Sequence, residues 1–180
     1  MTRTTYYTAT SLDGFIATAE NSLDWLLKQD IDEEGPLNYT SFIAGIGAMA
    51  MGSTTYEWVV DHTRGTDRPW EYEIPCWVFT HRDLEPVGDD IHFTQAPVAE
   101  VHAEMAAAAG DRGIWVVGGG DLAGQFADEG LLDEIITYTA PVTLGSGAPL
   151  LPRALDLELV EAARNRGFAC ARYEVIRPDA

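Results

Sequence analysis

The stretch Ile114-Trp115-Val116-Val117-Gly118-Gly119-Gly120-Asp121-Leu122-Ala123-Gly124-Gln125-Phe126 is an apolar run that meets three glycines and continues into an Ala/Leu/Phe-spaced segment. A short apolar run bounded by glycine reads as a buried strand, and the segment behind it as the crossover helix that a parallel sheet requires. Glycines at the junction let the backbone turn sharply. They also let a ligand approach main-chain N–H groups that a helix start leaves unpaired. Such a corner favours a phosphate.

A second corner of the same kind lies upstream, where Ala48-Met49-Ala50-Met51 runs into Gly52-Ser53-Thr54-Thr55-Tyr56-Glu57-Trp58-Val59. Ser53 or Thr54 can cap the helix, or bind a phosphate oxygen. Further strands are expected at Thr4 to Thr10, Ile74 to Thr80, Ile91 to Thr94 and Glu134 to Ala140. Helices are expected from Leu37 to Gly45 and from Pro97 to Ala109, the latter closing at Gly110. Residues His62 to Glu73, with Gly65 and Pro69, read as a loop, as does the glycine- and proline-rich stretch from Pro141 to Pro152. Leu157 to Asn165 and Phe168 to Ile176 form an antiparallel hairpin around Arg166-Gly167. The fold class is α/β: a three-layer α/β/α domain with a mostly parallel central sheet and a C-terminal antiparallel hairpin.

Composition narrows the function. The chain has 180 residues, 46% of them apolar, which suits one sizeable core, so residues 1–180 are read as a single domain. A formal charge of −18, with 11 Lys and Arg in all, argues against nucleic acid and against an anionic membrane surface. Any anionic ligand must be held by local groups against that field. Cys76 and Cys170 are isolated and lack metal-ligand spacing, so no metal site is expected and both read as buried free thiols. No segment has the apolar block of a signal peptide or the length of a membrane span, and a soluble, cytoplasmic protein is expected.

Several side chains could carry chemistry. Asp13, in Ser11-Leu12-Asp13-Gly14, could touch a ligand or close an Asx-type turn. Asp24 precedes Trp25; in a cleft, desolvation beside that ring would raise the carboxyl pKa and make it a proton donor, whereas on a surface it would only start a helix. Thr80-His81-Arg82 ends a strand where open α/β sheets place ligand contacts, and Arg82 could clamp a phosphate. The acidic run Asp30 to Glu34 reads as a solvated loop. His92 and His102 have no sequence partner and read as structural. Gly118, Gly120 and Ala123 also fit the GxGxxA fingerprint, but the acidic ribose partner expected after a second strand is not clearly supplied and the motif sits late in the chain instead of at its first βα turn, which argues against a standard Rossmann domain.

Ser11-Leu12-Asp13-Gly14-Phe15-Ile16-Ala17, Met51 to Glu57, Val117-Gly118-Gly119-Gly120, and Leu131 to Glu134 leading to Pro141 to Gly147 occur in the order of a known family. Together they resemble the dihydrofolate-reductase-like fold, and more closely the reductase domain of the bifunctional riboflavin-biosynthesis deaminase-reductase and its stand-alone relatives. The resemblance implies NADPH as cofactor and hydride transfer to a C=N or C=O of a small heterocycle, such as a pterin or aminopyrimidine. By analogy Gly52, Ser53, Thr54 and Thr55 hold phosphates from one helix start, and Gly118, Gly119, Gly120, Asp121 and Leu122 from the other. Thr80, His81 and Arg82 then lie at the adenosine end, with Arg82 addressing the 2′-phosphate, and Ala9 and Ile16 flank the nicotinamide. Asp24 is assigned as proton donor, with Asp13 and Trp25 at the substrate.

Two departures follow. Family members often carry a basic residue where this chain has Ser53, so the preference for NADPH rests on Arg82. Asp121 must turn away from the pyrophosphate and cap the helix. A homodimer is a further expectation, through the hairpin or the loop from Pro141 to Pro152. A binding module that keeps the fold without turnover is the competing class.

Overall fold

Alternation along the inner strands sorts the core onto two faces of one sheet. In the computed structural model, which describes residues 2–67 and 70–177, β3 (Ile46–Gly52) turns Ala48 and Ala50 to one face and Met49 and Met51 to the other. Strand β6 (Gly113–Gly118) does the same with Ile114 and Val116 against Trp115. This two-residue period, buried on both sides, leaves nearly continuous apolar runs in the strands of a covered parallel sheet.

The sheet has eight strands. Beside β3 and β6 they are β1 (Thr4–Thr10), β4 (Cys76–Phe79), β5 (Ile91–Thr94), β7 (Glu134–Thr139), β9 (Leu157–Asn165) and β10 (Phe168–Val175). Their order is β5-β4-β3-β6-β1-β7-β10-β9. All pairings from β5 through β7 are parallel, and the β9–β10 hairpin joins β7 antiparallel. Helices α4 (Val98–Ala109) and α5 (Gly120–Asp128) cover the face carrying Ala48, Ala50, Ile114 and Val116. Helices α2 (Tyr39–Ala44) and α3 (Ser53–Thr63) cover the face carrying Met49, Met51 and Val78. The expected three layers and C-terminal hairpin are therefore present.

Boundaries moved in places. Helix α3 extends through Thr63 into the expected loop from His62, and Pro69 of that loop lies outside the described residues. The loop from Pro141 to Pro152 contains a two-residue strand, β8 (Ala148–Pro149), which pairs antiparallel with β2 (Phe15–Ala17) in a small second sheet. Proline and brevity hide that strand from any periodicity. His92 packs its ring against Trp77, 4.9 Å between centroids, and His102 Nε2 lies 2.9 Å from Thr4 Oγ1, as structural histidines would. Cys76 and Cys170 are buried free thiols.

Candidate functional site

Strands β3 and β6 are neighbours, yet the helices that follow them leave toward opposite faces, α3 to one and α5 to the other. A divergence of this kind opens a crevice at the carboxyl edge of the sheet. Here it is a cleft of about 690 Å³. Its lining brings together Ala9 and Ile16, the corner Gly52, Ser53, Thr54 and Thr55, and the corner Gly118, Gly119, Gly120, Asp121 and Leu122. Both corners thus face one space.

Neither helix start is closed by a side chain. The cap of α3 is Gly52 and that of α5 is Gly119, both with extended backbone and no side-chain cap hydrogen bond. Ser53 and Thr54 are therefore not caps, because each falls inside the first turn, where its own amide joins the unpaired set. A Cβ on Gly52 would meet nothing within 4 Å, so that corner is open to a ligand. Gly120 answers a different need. A Cβ there would lie 2.3 Å from the carbonyl oxygens of both Pro149 and Leu150, so glycine is required by the close passage of β8. The peptide bond between Gly118 and Gly119 is cis.

Asp121 lines the cleft but does not cap α5. Its carboxylate accepts from Gln125 Nε2 at 3.0 Å and pairs with Arg153 Nη2 at 3.2 Å. Arg153 is held from the other side by Asp128, Nε to Oδ2 2.8 Å, and its stem packs on Gly124, where a Cβ would lie 2.9 Å from Arg153 Cγ. These acceptors raise the guanidinium pKa further above its ordinary value. No local pattern around Arg153 announces this role; it exists because β8 delivers the following loop onto α5.

The rest of the cleft is aromatic. Tyr7, Trp58, Tyr72 and Trp115 line it together with Leu23, Leu26 and Val117. Tyr7 stacks on Phe42 at 4.4 Å between centroids and donates its hydroxyl hydrogen to Leu37 O. Trp115 donates its indole N–H to Tyr7 O at 3.1 Å. Burial pushes the Tyr7 and Tyr72 hydroxyl pKa values well above the usual range. In sequence these rings are indistinguishable from core.

Other expected site residues lie elsewhere. Thr80, His81 and Arg82 follow the end of β4 without lining the cleft, and Arg82 pairs with Glu57 of α3. The Arg82 amide donates to Thr80 Oγ1. The acid–aromatic unit expected at Asp24 and Trp25 is not formed. Asp24 begins the short helix α1 (Asp24–Leu27) and is exposed, whereas Trp25 is buried, 5% exposed, among Tyr138, Phe168 and Cys170. Leu23 and Leu26 face the cleft in their stead. Asp13 is a turn lock: its carboxylate accepts from Ser11 Oγ, Leu144 N and Gly145 N. Those donors lower its pKa to about 2. It does not line the cleft.

The family model of the RibD C-terminal domain matches residues 4–166. The chain belongs to the RibD C-terminal domain family. Within it, the chain is 32% identical over 149 residues to the uncharacterized protein YwjB of Bacillus subtilis strain 168, covering 82% of each. It is 29% identical to the riboflavin biosynthesis protein RibD of Corynebacterium ammoniagenes, covering 86% of this chain and 48% of that one, so the chain spans about half of that relative. A candidate riboflavin biosynthesis protein from Shewanella sp. PV-4 superposes with a TM-score of 0.82 at 24% identity, over 97% of this chain and 99% of that one. A Thermotoga maritima diaminohydroxyphosphoribosylaminopyrimidine deaminase/5-amino-6-(5-phosphoribosylamino)uracil reductase superposes with a TM-score of 0.69 at 14% identity, over 97% of this chain and 57% of that one. RibD-family membership and the shared architecture agree on a reductase-type fold. Among the described residues no helix is long and apolar enough to cross a membrane, and no group of three or more His, Cys, Asp or Glu could hold a metal ion.

Proposed function

We propose that this chain is an NADPH-dependent reductase that delivers a hydride to a C=N or C=O carbon of a small heterocycle of pterin or aminopyrimidine type. The observation that carries this reading is the pair of uncapped helix starts, α3 and α5, facing one cleft whose remaining wall is aromatic. Two positive helix ends suit the two phosphates of a dinucleotide, and the open space at Gly52 lets one approach the backbone. When bound, the reduced nicotinamide supplies the hydride chemistry.

The chain's residues then hold and orient. Ser53, Thr54 and Thr55 offer hydroxyls and amides on one side, and Gly119, Gly120 and Leu122 offer amides on the other. Arg153 offsets the Asp121 carboxylate at the second corner. Ala9 and Ile16 supply an apolar seat for the nicotinamide, and Thr80, His81 and Arg82 the adenosine end. Arg82 meets a 2′-phosphate by giving up or sharing Glu57. Asp121 is the sole carboxylate among the described lining residues and is engaged by Arg153, so the proton that completes reduction is drawn from water at the open mouth.

The same lack of a free acid at the aromatic end favours a second reading, a nucleotide-binding module without turnover. Trp58 and Trp115 line the cleft, so fluorescence titration with NADPH tests both. A saturable change at micromolar cofactor is expected, followed by NADPH oxidation with at least one member of a pterin and aminopyrimidine panel. Binding without oxidation across the panel selects the module, and no saturable binding sinks both.

A further inference from the structure

We propose that the substrate end of this cleft takes a flat, uncharged heterocycle that carries no phosphate, an inference that rests on the reductase reading above. Among the described residues, none of those lining the cleft is Lys, Arg or His. A phosphorylated substrate must therefore place up to two negative charges in a space that no cation among the described residues lines, inside a chain of net charge −18. Unpaired charge in a partly desolvated site is strongly disfavoured.

The groups that could relieve that charge are already engaged. The helix starts at Gly52 and Gly119 are those the cofactor phosphates occupy in the proposed complex, and the one-turn helix α1 begins at the cleft with an acid, Asp24, whose amide is already held by Ser22 Oγ. Arg82 lies outside the lining and is taken by Glu57 and, in the proposed complex, by the 2′-phosphate, and Arg153 is held between Asp121 and Asp128. Lys28 is the single lysine of the chain and follows α1 at an exposed position outside the lining.

What the end does offer is flat apolar surface. Tyr7, Trp58, Tyr72 and Trp115 present rings, and Leu23 and Leu26 add aliphatic surface. The Tyr7 hydroxyl and the Trp115 N–H are spent on main-chain oxygens, and one face of Tyr7 is stacked on Phe42 and one of Trp58 on His62, so what these rings offer the cleft is their remaining apolar surface rather than their polar tips. Ring faces of this kind recognise a planar heterocycle by stacking. Thr8 and Asn21 add uncharged polar groups for its edge. The substrate class therefore differs from the phosphoribosyl compound in the name of the Thermotoga protein.

The test is equilibrium binding, by tryptophan quenching and calorimetry, of a matched pair: 5-amino-6-ribosylaminouracil and its 5′-phosphate. It includes a set of unphosphorylated pterins and runs with and without saturating NADP⁺. At least one unphosphorylated compound should bind, and the phosphate group should weaken binding by roughly tenfold or more, with the gap narrowing as salt rises. Leu26→Lys should recover roughly tenfold for the phosphorylated partner. K28A and R68A, which remove two of the cations that flank lining segments in sequence, should leave the preference unchanged. Equal or tighter binding of the phosphorylated partner, its loss in K28A or R68A, or binding of no unphosphorylated compound overturns the proposal. If NADP⁺ fails to bind while an unphosphorylated heterocycle still does, the reductase reading falls and the ligand class stands.

Discussion

Arg153 sets its guanidinium 3.2 Å from the Asp121 carboxylate, at the corner where a phosphate would approach the start of α5. An acid in the first turn would otherwise repel that phosphate. The pair turns a local penalty into a neutral rim.

R153M should therefore weaken NADPH binding by roughly three- to tenfold, the scale of one partly screened charge contact. D121N in the same background should restore most of it, since the one carboxylate then left without Arg153 is Asp128, at the far end of α5. Fluorescence titration of the four proteins in this cycle checks the point. A loss that persists in the double variant would mean that Arg153 touches the phosphate itself.

The two glycine corners should respond differently to a methyl group. G120A drives a Cβ into the Pro149 and Leu150 carbonyls and should destabilise the fold by about 1–3 kcal/mol. G52A meets open space and should cost about 1 kcal/mol or less, while weakening NADPH binding. Thermal melts paired with titrations separate the two effects.

Asp13 makes a pH-dependent tie. Its folded pKa, about 2, lies below the ordinary 3.8 because Ser11, Leu144 and Gly145 donate to the charged form. A depressed carboxyl pKa stabilises the fold fully above about pH 4, and that contribution fades as pH falls toward 2. Amide exchange at Leu144 and Gly145, normalised to the intrinsic rate at each pH, should therefore accelerate across that window. D13N should show faster exchange at neutral pH. Unchanged exchange in D13N would remove the tie.

Asp24 and Trp25 should part company on substitution. D24N should leave NADPH binding and turnover within about twofold, as expected of an exposed charge outside the cleft lining. W25A should lower stability by about 3–5 kcal/mol, the usual cost of emptying a large aromatic site. Chemical denaturation and steady-state rates give both numbers.

That last pair shows where sequence reading stops. Strands β1, β3, β6 and β7 were legible because their apolar runs end at glycine or turn residues, and α4 and α5 because apolar positions recur at helical spacing. The two glycine corners were legible for the same reason: a strand, glycines and a helix define them locally. Asp24 and Trp25 were misread because neighbours on a helix do not share a face, so an acid beside a ring in sequence need not touch it. Arg153 and the rings of Tyr7, Tyr72 and Trp115 gave no signal, since their roles depend on which strands become neighbours. Strand β8, two residues with a proline, carries no period at all.

Strand order has a further consequence for how the molecule is made. β1 precedes every other strand of this sheet in sequence, yet its partners are β6 and β7, so it stays unzipped until residues 113–139 have been synthesised. The cleft wall from β8 arrives later still, at Ala148–Pro149. On the reading proposed above, cofactor therefore offers no help to the growing polypeptide until that wall has been made.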